Sequence, residues 1–177
     1  PVVFAAPAQV SGSYSVTFGY DGPFSATARG LVPANTIPGT VTIGDYNLYP
    51  VTVPAGNTYA RFSLFDANVT PGSDLDLYVF DANFQQIGGS GGSTSAEEVN
   101  FSALPAGQYY VLVDGYGAPG PTADFTLFYW LLDSADAGNM TVTAPTTAVA
   151  GTNGSIGLGF SGLVPSTKYL GSVVYGG

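Results

Sequence analysis

Two segments near the middle of the chain alternate apolar and polar side chains with a period of two residues. They cover residues 73–80 and 106–113. Because successive side chains of a strand point to opposite faces of a sheet, this period predicts two β-strands that each bury one row of side chains. The predicted buried rows are Leu75, Leu77 and Val79 in the first strand and Tyr109, Val111 and Val113 in the second.

The rest of the chain is divided into short segments by turn-forming residues. The 177 residues include 25 glycines and 13 prolines, and no segment combines a 3.6-residue apolar period with helix-capping residues. Residues 61–65 and 124–130 are rich in aromatic and branched side chains, which favours two further strands. Residues 85–93 are glycine- and serine-rich, and we expect a mobile loop there. We therefore predict an all-β protein with essentially no helix beyond single turns.

The tetrapeptide Gly-Leu-Val-Pro occurs near both ends of the chain, at residues 30–33 and 162–165, and the similarity extends in order to both sides. This predicts two copies of one β module, flanking a different central domain. Each copy supplies three or four strands, whereas an immunoglobulin or fibronectin type III sandwich has about seven. The copies therefore either pair with each other or are completed from elsewhere, and the sequence leaves both arrangements open. The predicted boundaries are residues 1–41 for the first module, 42–132 for the central domain, 133–138 for a linker and 139–177 for the second module.

The charge of the chain excludes several classes of partner. The formal net charge is −9, and the three basic residues are Arg29, Arg61 and Lys168. Contacts with nucleic-acid phosphates need clustered lysine and arginine, so we expect no nucleic-acid partner. No apolar run approaches the roughly 18 residues needed to cross a bilayer, so we also expect no membrane insertion. Cysteine is absent, which excludes disulfides and thiolate chemistry.

The chain also lacks the residues that most catalytic sites require. It contains no histidine, so neither a Ser-His-Asp triad nor a histidine-ligated metal centre can be assembled from it. Glu97 and Glu98 are adjacent, and neighbouring residues of a strand face opposite sides, which disfavours a shared glycosidase cleft. We therefore predict that the chain is not an enzyme.

Acidic and amide side chains bracket one loop and one strand of the central domain. On the strand, Asp74 and Asp76 are expected to share the face opposite Leu75. Oxygen ligands gathered in this way suit calcium, which takes about 6 to 8 of them. The alternative is a solvated acidic face, since residues 69–73 add no carboxylate. The candidate calcium ligands are Asp66, Asn68, Asp74, Asp76 and Asp81.

Several aromatic side chains cannot all point inward from alternating strands. An aromatic row on a sheet can bind extended polypeptide or polysaccharide, although burial between packed domains is the alternative. The candidates for a binding or assembly surface are Tyr109, Tyr110, Tyr116, Trp130 and Tyr175, together with Val2, Val3 and Phe4 at the start of the chain.

Residues 74–80 (DLDLYVF), followed by residues 105–111 (PAGQYYV), resemble the pre-peptidase C-terminal (PPC) domain of secreted peptidases. Residues 93–99 and 126–130 look like the version carried by secreted bacterial subtilisin-like proteases. The resemblance implies a PPC-type jelly-roll or β-sandwich flanked by immunoglobulin-like modules. It implies an extracellular, non-catalytic C-terminal region that aids export or folding or binds protein substrate. The implied partners are a parent protease domain and a polypeptide substrate, with calcium as a cofactor of some relatives.

A second class of function is a self-assembling extracellular filament or surface subunit. Related tails continue past the equivalent of Tyr175 with one more strand, so the resemblance implies an open sheet edge in the last module. The apolar segment at Val2, Val3 and Phe4 is able to fill that edge in another copy. Such head-to-tail donor-strand exchange propagates into filaments, and the partners are then copies of the chain itself. Pairing of this segment within its own chain is the alternative.

Overall fold

The computed structural model describes residues 1–6 and 9–177 and consists almost entirely of antiparallel strands. In the described residues, the helical structure is a single 3₁₀ turn, Asp66–Asn68, which confirms the predicted all-β class. No helix in this part of the chain is long and apolar enough to cross a membrane. In chain order the strands are β1 (Val2–Ala5), β2 (Ser11–Thr17), β3 (Gly22–Pro23), β4 (Ser25–Pro33), β5 (Asn35–Thr42), β6 (Tyr46–Val53), β7 (Tyr59–Leu64), β8 (Asp74–Phe80), β9 (Gln86–Ser90), β10 (Glu97–Phe101), β11 (Gly107–Gly117), β12 (Thr122–Leu132), β13 (Met140–Thr143), β14 (Thr147–Ala148), β15 (Asn153–Phe160) and β16 (Tyr169–Gly176).

The chain forms two compact units, of which the central unit comprises residues 35–131. It is a β-sandwich of two four-stranded sheets, with strand orders β10-β7-β12-β5 and β6-β11-β8-β9. Both rows of side chains that the period of two predicted to be inward are buried in its core. Their partners from the opposite sheet include Phe62, Leu64, Val99 and Leu127.

The segment predicted to be a mobile loop contains a strand instead. β9 pairs with β8 along the edge of its sheet. A Cβ added at Gly88 would lie 2.7 Å from Val99 Cγ1 and 2.8 Å from Phe101 Cζ, and one at Gly89 would lie 2.7 Å from Tyr78. The glycines are therefore required by the close approach of β9 to its neighbours and do not indicate mobility.

The flanking unit comprises residues 1–34 and 132–177. It contains two three-stranded sheets, ordered β1-β16-β4 and β13-β15-β2, and the two-stranded pair β14-β3. The two ends of the chain therefore pair with each other, β2 with β15 and β4 with β16, which is one of the two arrangements that the sequence left open. The immunoglobulin-like character of these segments stays a prediction.

The boundaries in the structure differ from those expected from the repeat. β5 pairs with β12, so the central unit begins at residue 35, seven residues before the expected boundary. Residues 133–138, expected to be a linker, belong to the flanking unit, where the Gly30 amide donates to the Ala135 carbonyl. The repeated tetrapeptide also has two conformations, because residues 30–33 lie in β4 whereas residues 162–165 lie between β15 and β16.

The edge expected to be open is filled within the chain. β1 pairs antiparallel with β16, with Val2 opposite Ser172 and Ala5 opposite Tyr169. The other side of β16 pairs with β4. Val3 and Ala5 are buried in the core of the flanking unit, while Phe4 faces outward. In this structure Val2, Val3 and Phe4 therefore form an intramolecular strand.

The close approach at β9 leads to a stability prediction. We expect Gly88→Ala to lower the free energy of unfolding by about 1–3 kcal/mol, because the new methyl group overlaps the side chains of Val99 and Phe101. Gly117→Ala, on β11, is the matched control, since a Cβ there meets no atom within 4 Å. Chemical denaturation of both variants measures the difference, and equal stability would contradict the packing described for β9.

Candidate functional site

Three carboxylates converge at one end of β8. Asp74 and Asp76 lie on β8 and Glu97 is the first residue of β10, and one oxygen of each lies within 4.8 Å of the others. The exposed fraction is 7% for Asp76 and 4% for Glu97. Because β8 and β10 belong to different sheets, this acidic cluster joins the two sheets of the central unit.

Strand alternation and local hydrogen bonds position the three groups. Asp74 and Asp76 project from the face of β8 opposite the buried leucines, as the period of two predicted. The Gly92 amide donates to Glu97 Oε1 at 2.6 Å, and the Ser90 hydroxyl donates to Glu97 Oε2. Glu97 is thus held by the segment that joins β9 to β10.

The cluster leaves oxygen atoms without hydrogen-bond partners. In the part of the chain that the structure describes, Oδ1 of Asp74 and Oδ1 of Asp76 are buried and accept no hydrogen bond. Asp114 lies opposite Asp76 on β11 and adds a further negative charge. Burial, then the charges of Asp74, Glu97 and Asp114, and last a hydrogen bond between the carboxyl groups of Asp76 and Asp74, raise the pKa of Asp76 to about 6. The site therefore resists holding all of its carboxylates ionised.

No basic side chain of the central unit neutralises this charge. Arg61 is the one arginine or lysine in residues 35–131. Its Nε lies 3.6 Å from Glu98 Oε1 and donates to Asn100 Oδ1. Glu98 is exposed and Glu97 is buried, so Arg61 is engaged on the opposite side of β10 from the cluster.

Of the five predicted calcium ligands, the structure brings together Asp74 and Asp76. Asp66 accepts a hydrogen bond from the Ser95 amide, and Asp81 accepts from two amides in the turn after β8. Asp81, just after β8, also lies about 23 Å from Asp74 along the strand direction. Asn68 lies in the 3₁₀ turn with its Oδ1 buried and unpaired among the described atoms.

Sequence reasoning missed Glu97 as a member of the cluster. Glu97 shares its face of β10 with the buried Val99. A carboxylate at an otherwise apolar position of a strand was therefore the sequence feature that could have indicated its role. The expectation that Glu97 and Glu98 face opposite sides holds, but the partners of Glu97 are the aspartates of β8.

The predicted aromatic residues do not form one surface. Tyr109 and Trp130 are buried, and the Tyr109 hydroxyl donates to the Pro105 carbonyl. Tyr116 is 72% exposed because the pairing of β11 with β8 shifts register between Gly115 and Gly117. Tyr175 belongs to the flanking unit, where its hydroxyl lies 2.7 Å from that of Tyr14.

Tyr110 instead stacks on a residue that the sequence analysis did not select. The ring centroids of Phe84 and Tyr110 are 4.5 Å apart, with an interplanar angle of 20°. Phe84 is 58% exposed and has a positive φ of 59°. Its amide donates to the Asp81 carbonyl, so the turn after β8 holds the ring over β11. Phe84 lies outside every period-two segment, which explains why it was missed.

The stack lies on the outer face of the sheet β6-β11-β8-β9, from which Asp76 and Asp114 also project. On β11, Tyr110 alternates with the buried Tyr109 and Val111 and therefore points outward. Leu48 and Tyr46 on β6 are also exposed. We call this surface the outer aromatic face, and it consists of Tyr46, Leu48, Phe84 and Tyr110.

Comparison with protein families identifies the central unit. Residues 45–115 match the model of the bacterial pre-peptidase C-terminal (PPC) domain. This part of the central unit is similar to a PPC domain. The matched range includes the three carboxylates of the acidic cluster and the outer aromatic face.

Part of the chain is also similar to pyrolysin of Pyrococcus furiosus. The two are 31% identical over 96 residues, which is 53% of this chain and 7% of pyrolysin. The chain therefore corresponds to a small part of that relative's length.

Solved structures share partial similarity with the chain. A periplasmic inhibitor of g-type lysozyme, PliG of Aeromonas hydrophila, is 16% identical, with a TM-score of 0.41 over 57% of this chain and 87% of that chain. A protein of Eubacterium rectale is 10% identical, with a TM-score of 0.35 over 78% of this chain and 72% of that chain.

The raised pKa of Asp76 predicts that stability depends on pH. The pKa is raised from 3.8 to about 6, so its contribution to stability is complete below about pH 4 and is lost as pH rises through about 6. In a buffer that contains a chelator, we expect the melting temperature to rise as the pH is lowered from about 7 to about 5. The change in the free energy of unfolding that corresponds to this pKa shift is at most about 3 kcal/mol.

The variant Asp76→Asn removes the titrating group and should flatten this dependence, whereas Glu98→Gln, at an exposed neighbouring carboxylate, should not. Thermal denaturation across the pH range measures the effect. A wild-type profile that matches that of Asp76→Asn would contradict the assignment.

Proposed function

We propose that this chain is a non-catalytic extracellular region from the C-terminal part of a secreted subtilisin-like protease. The observation that carries the proposal is the match of residues 45–115 to the PPC domain, and the similarity to pyrolysin supports it. The sequence has no histidine, so a Ser-His-Asp peptidase site would have to lie in another domain. The chain would then aid export or folding, or hold the enzyme on its protein substrate.

The outer aromatic face supports the substrate-binding role. Exposed apolar side chains grouped on one face of a domain often mark an interaction site. Phe84 is held in a left-handed backbone conformation that non-glycine residues rarely adopt, and yet its ring is mostly exposed. A stacked aromatic pair beside Leu48 offers flat apolar area to the side chains of an extended polypeptide. We therefore assign unfolded or extended polypeptide as the ligand of this face.

Binding to unfolded casein tests this function. We expect the purified chain to bind immobilised, unfolded casein in biolayer interferometry and to release no peptides from it. Phe84→Ala should weaken binding about 5- to 10-fold, because it removes the exposed half of the stack. Tyr116→Ala, at an exposed aromatic residue away from the stack, is the matched control. Absence of binding, or equal losses in both variants, would refute this face as the binding surface.

A second candidate function is a self-assembling extracellular subunit. β1 is the edge strand of its sheet and pairs with β16 alone over four residues. The same pairing with β16 of a neighbouring copy would reproduce every contact that β1 makes to that strand. Such an exchange preserves the native contacts, and a head-to-tail arrangement extends it into a filament.

Deletion of residues 1–6 tests strand exchange. We expect the full chain to form concentration-dependent assemblies in negative-stain microscopy, and the deletion variant to lose them, because β1 is the exchanged element. A synthetic peptide of residues 1–6 should then bind the deletion variant. Filaments that persist after the deletion, or a full chain that stays monomeric at all concentrations, would rule out exchange through β1.

A further inference from the structure

We infer that Asp74, Asp76 and Glu97 bind a divalent cation of the size of calcium, which links β8 to β10. The three carboxylates converge within 4.8 Å of one another from two different sheets. Asp76 is more than nine-tenths buried, and its Oδ1 is buried with no hydrogen-bond partner among the described residues. A buried carboxylate oxygen without a donor is the kind of atom that a bound cation stabilises.

The charges around the cluster favour a cation over an internal ion pair. Buried carboxylates are costly unless they are paired with positive charge or coordinate a metal. The central unit has one basic residue, Arg61, and it contacts Glu98 and Asn100 on the other side of β10. Asp114, opposite Asp76, adds a fourth carboxylate near the site. A divalent cation would neutralise half of the charge of these four carboxylates.

The donor atoms select the class of metal. All of them are carboxylate oxygens, which suit calcium, magnesium or manganese and disfavour zinc and copper. Two ligands on opposite sides of a calcium ion are separated by at most about twice its bond length of about 2.3–2.6 Å, so oxygens within 4.8 Å of one another can bind one such ion. Magnesium demands a strict octahedral geometry and is usually bound through one or two protein carboxylates, so a cluster of three carboxylates favours calcium.

The neighbours of Glu97 leave its carboxylate free to coordinate. The Gly92 amide and the Ser90 hydroxyl each donate to a different oxygen of Glu97, which fixes its orientation. Each oxygen keeps a second lone pair for a metal. Hydrogen bonds of this kind commonly orient metal-binding carboxylates. The unpaired oxygens of Asp74 and Asp76 complete the protein ligands, and water would fill the remaining positions.

A cation at this position would stabilise the fold of the central unit. β8 lies in the sheet β6-β11-β8-β9 and β10 lies in the sheet β10-β7-β12-β5. An ion bound to both strands joins the two sheets where the chain passes from β9 to β10. Since the unfolded chain does not hold the three carboxylates together, binding raises the stability of the folded state.

Titration of the full chain with calcium chloride tests the site. We expect isothermal titration calorimetry to give one site per chain with a Kd of about 0.1–1 mM, in the range of extracellular calcium modules. About 10 mM calcium should raise the melting temperature, after chelator treatment, by about 5 °C or more. Magnesium should bind at least about 5-fold more weakly.

Matched variants locate the site. Asp76→Asn and Glu97→Gln should each weaken calcium binding at least about 10-fold, because each removes one charged ligand. Glu98→Gln changes the adjacent exposed carboxylate, which faces away from the cluster, and should bind like the wild type. Circular dichroism checks that each variant is folded.

Three outcomes would overturn the inference. They are the absence of both binding heat and thermal stabilisation with calcium, equal losses in Glu97→Gln and Glu98→Gln, and tighter binding of magnesium than of calcium. Because the readouts are binding and melting of the isolated chain, they do not depend on whether it binds polypeptide or belongs to a protease.

Discussion

The pairing of β5 with β12 is the constraint on which the two-unit organisation depends. Asn35, at the start of the central unit, lies opposite Tyr129 near its end. Because the first and last strands of this unit are neighbours, the chain leaves the unit beside the point where it enters. The ends of the chain are thereby brought together, and β2 and β4 can pair with β15 and β16 despite their separation in sequence. Folding of the central unit thus lowers the entropic cost of closing the flanking unit.

The sequence predicted the inner faces of the central unit because one physical rule governs them. Leu75 and Val111 sit in alternating rows, and alternation along a strand is a local property that survives packing. The boundary at residue 35 is not determined by a local sequence pattern. β5 is mostly exposed along its length, so its pattern is weak, and its position is decided by hydrogen bonding to β12. The strand at Gly88 was missed for a similar reason, since its glycines are explained by side chains of Val99 and Phe101 that other strands supply.

The residues of the candidate site also differ in whether a local sequence pattern could predict their positions. Alternation alone places Asp74 and Asp76 on one face of β8, and the structure keeps them there. Glu97 reaches them from another sheet, and the local pattern of β10 contains no information about which strand lies nearby. Phe84 lies in a turn, where no period exists, and its contact with Tyr110 follows from the backbone conformation of that turn. Sequence patterns therefore identified the residues that a single strand positions and missed those that tertiary packing brings in.

The acidic cluster and the outer aromatic face lie on one strand pair. Asp76 and Phe80 are both on β8, about 13 Å apart along the strand, and β8 pairs with β11 from Asp74 to Phe80. Tyr110 lies opposite Phe80 in this pairing, and Asp114 lies opposite Asp76. The acidic cluster and the aromatic stack therefore lie about four residues apart along one pair of strands.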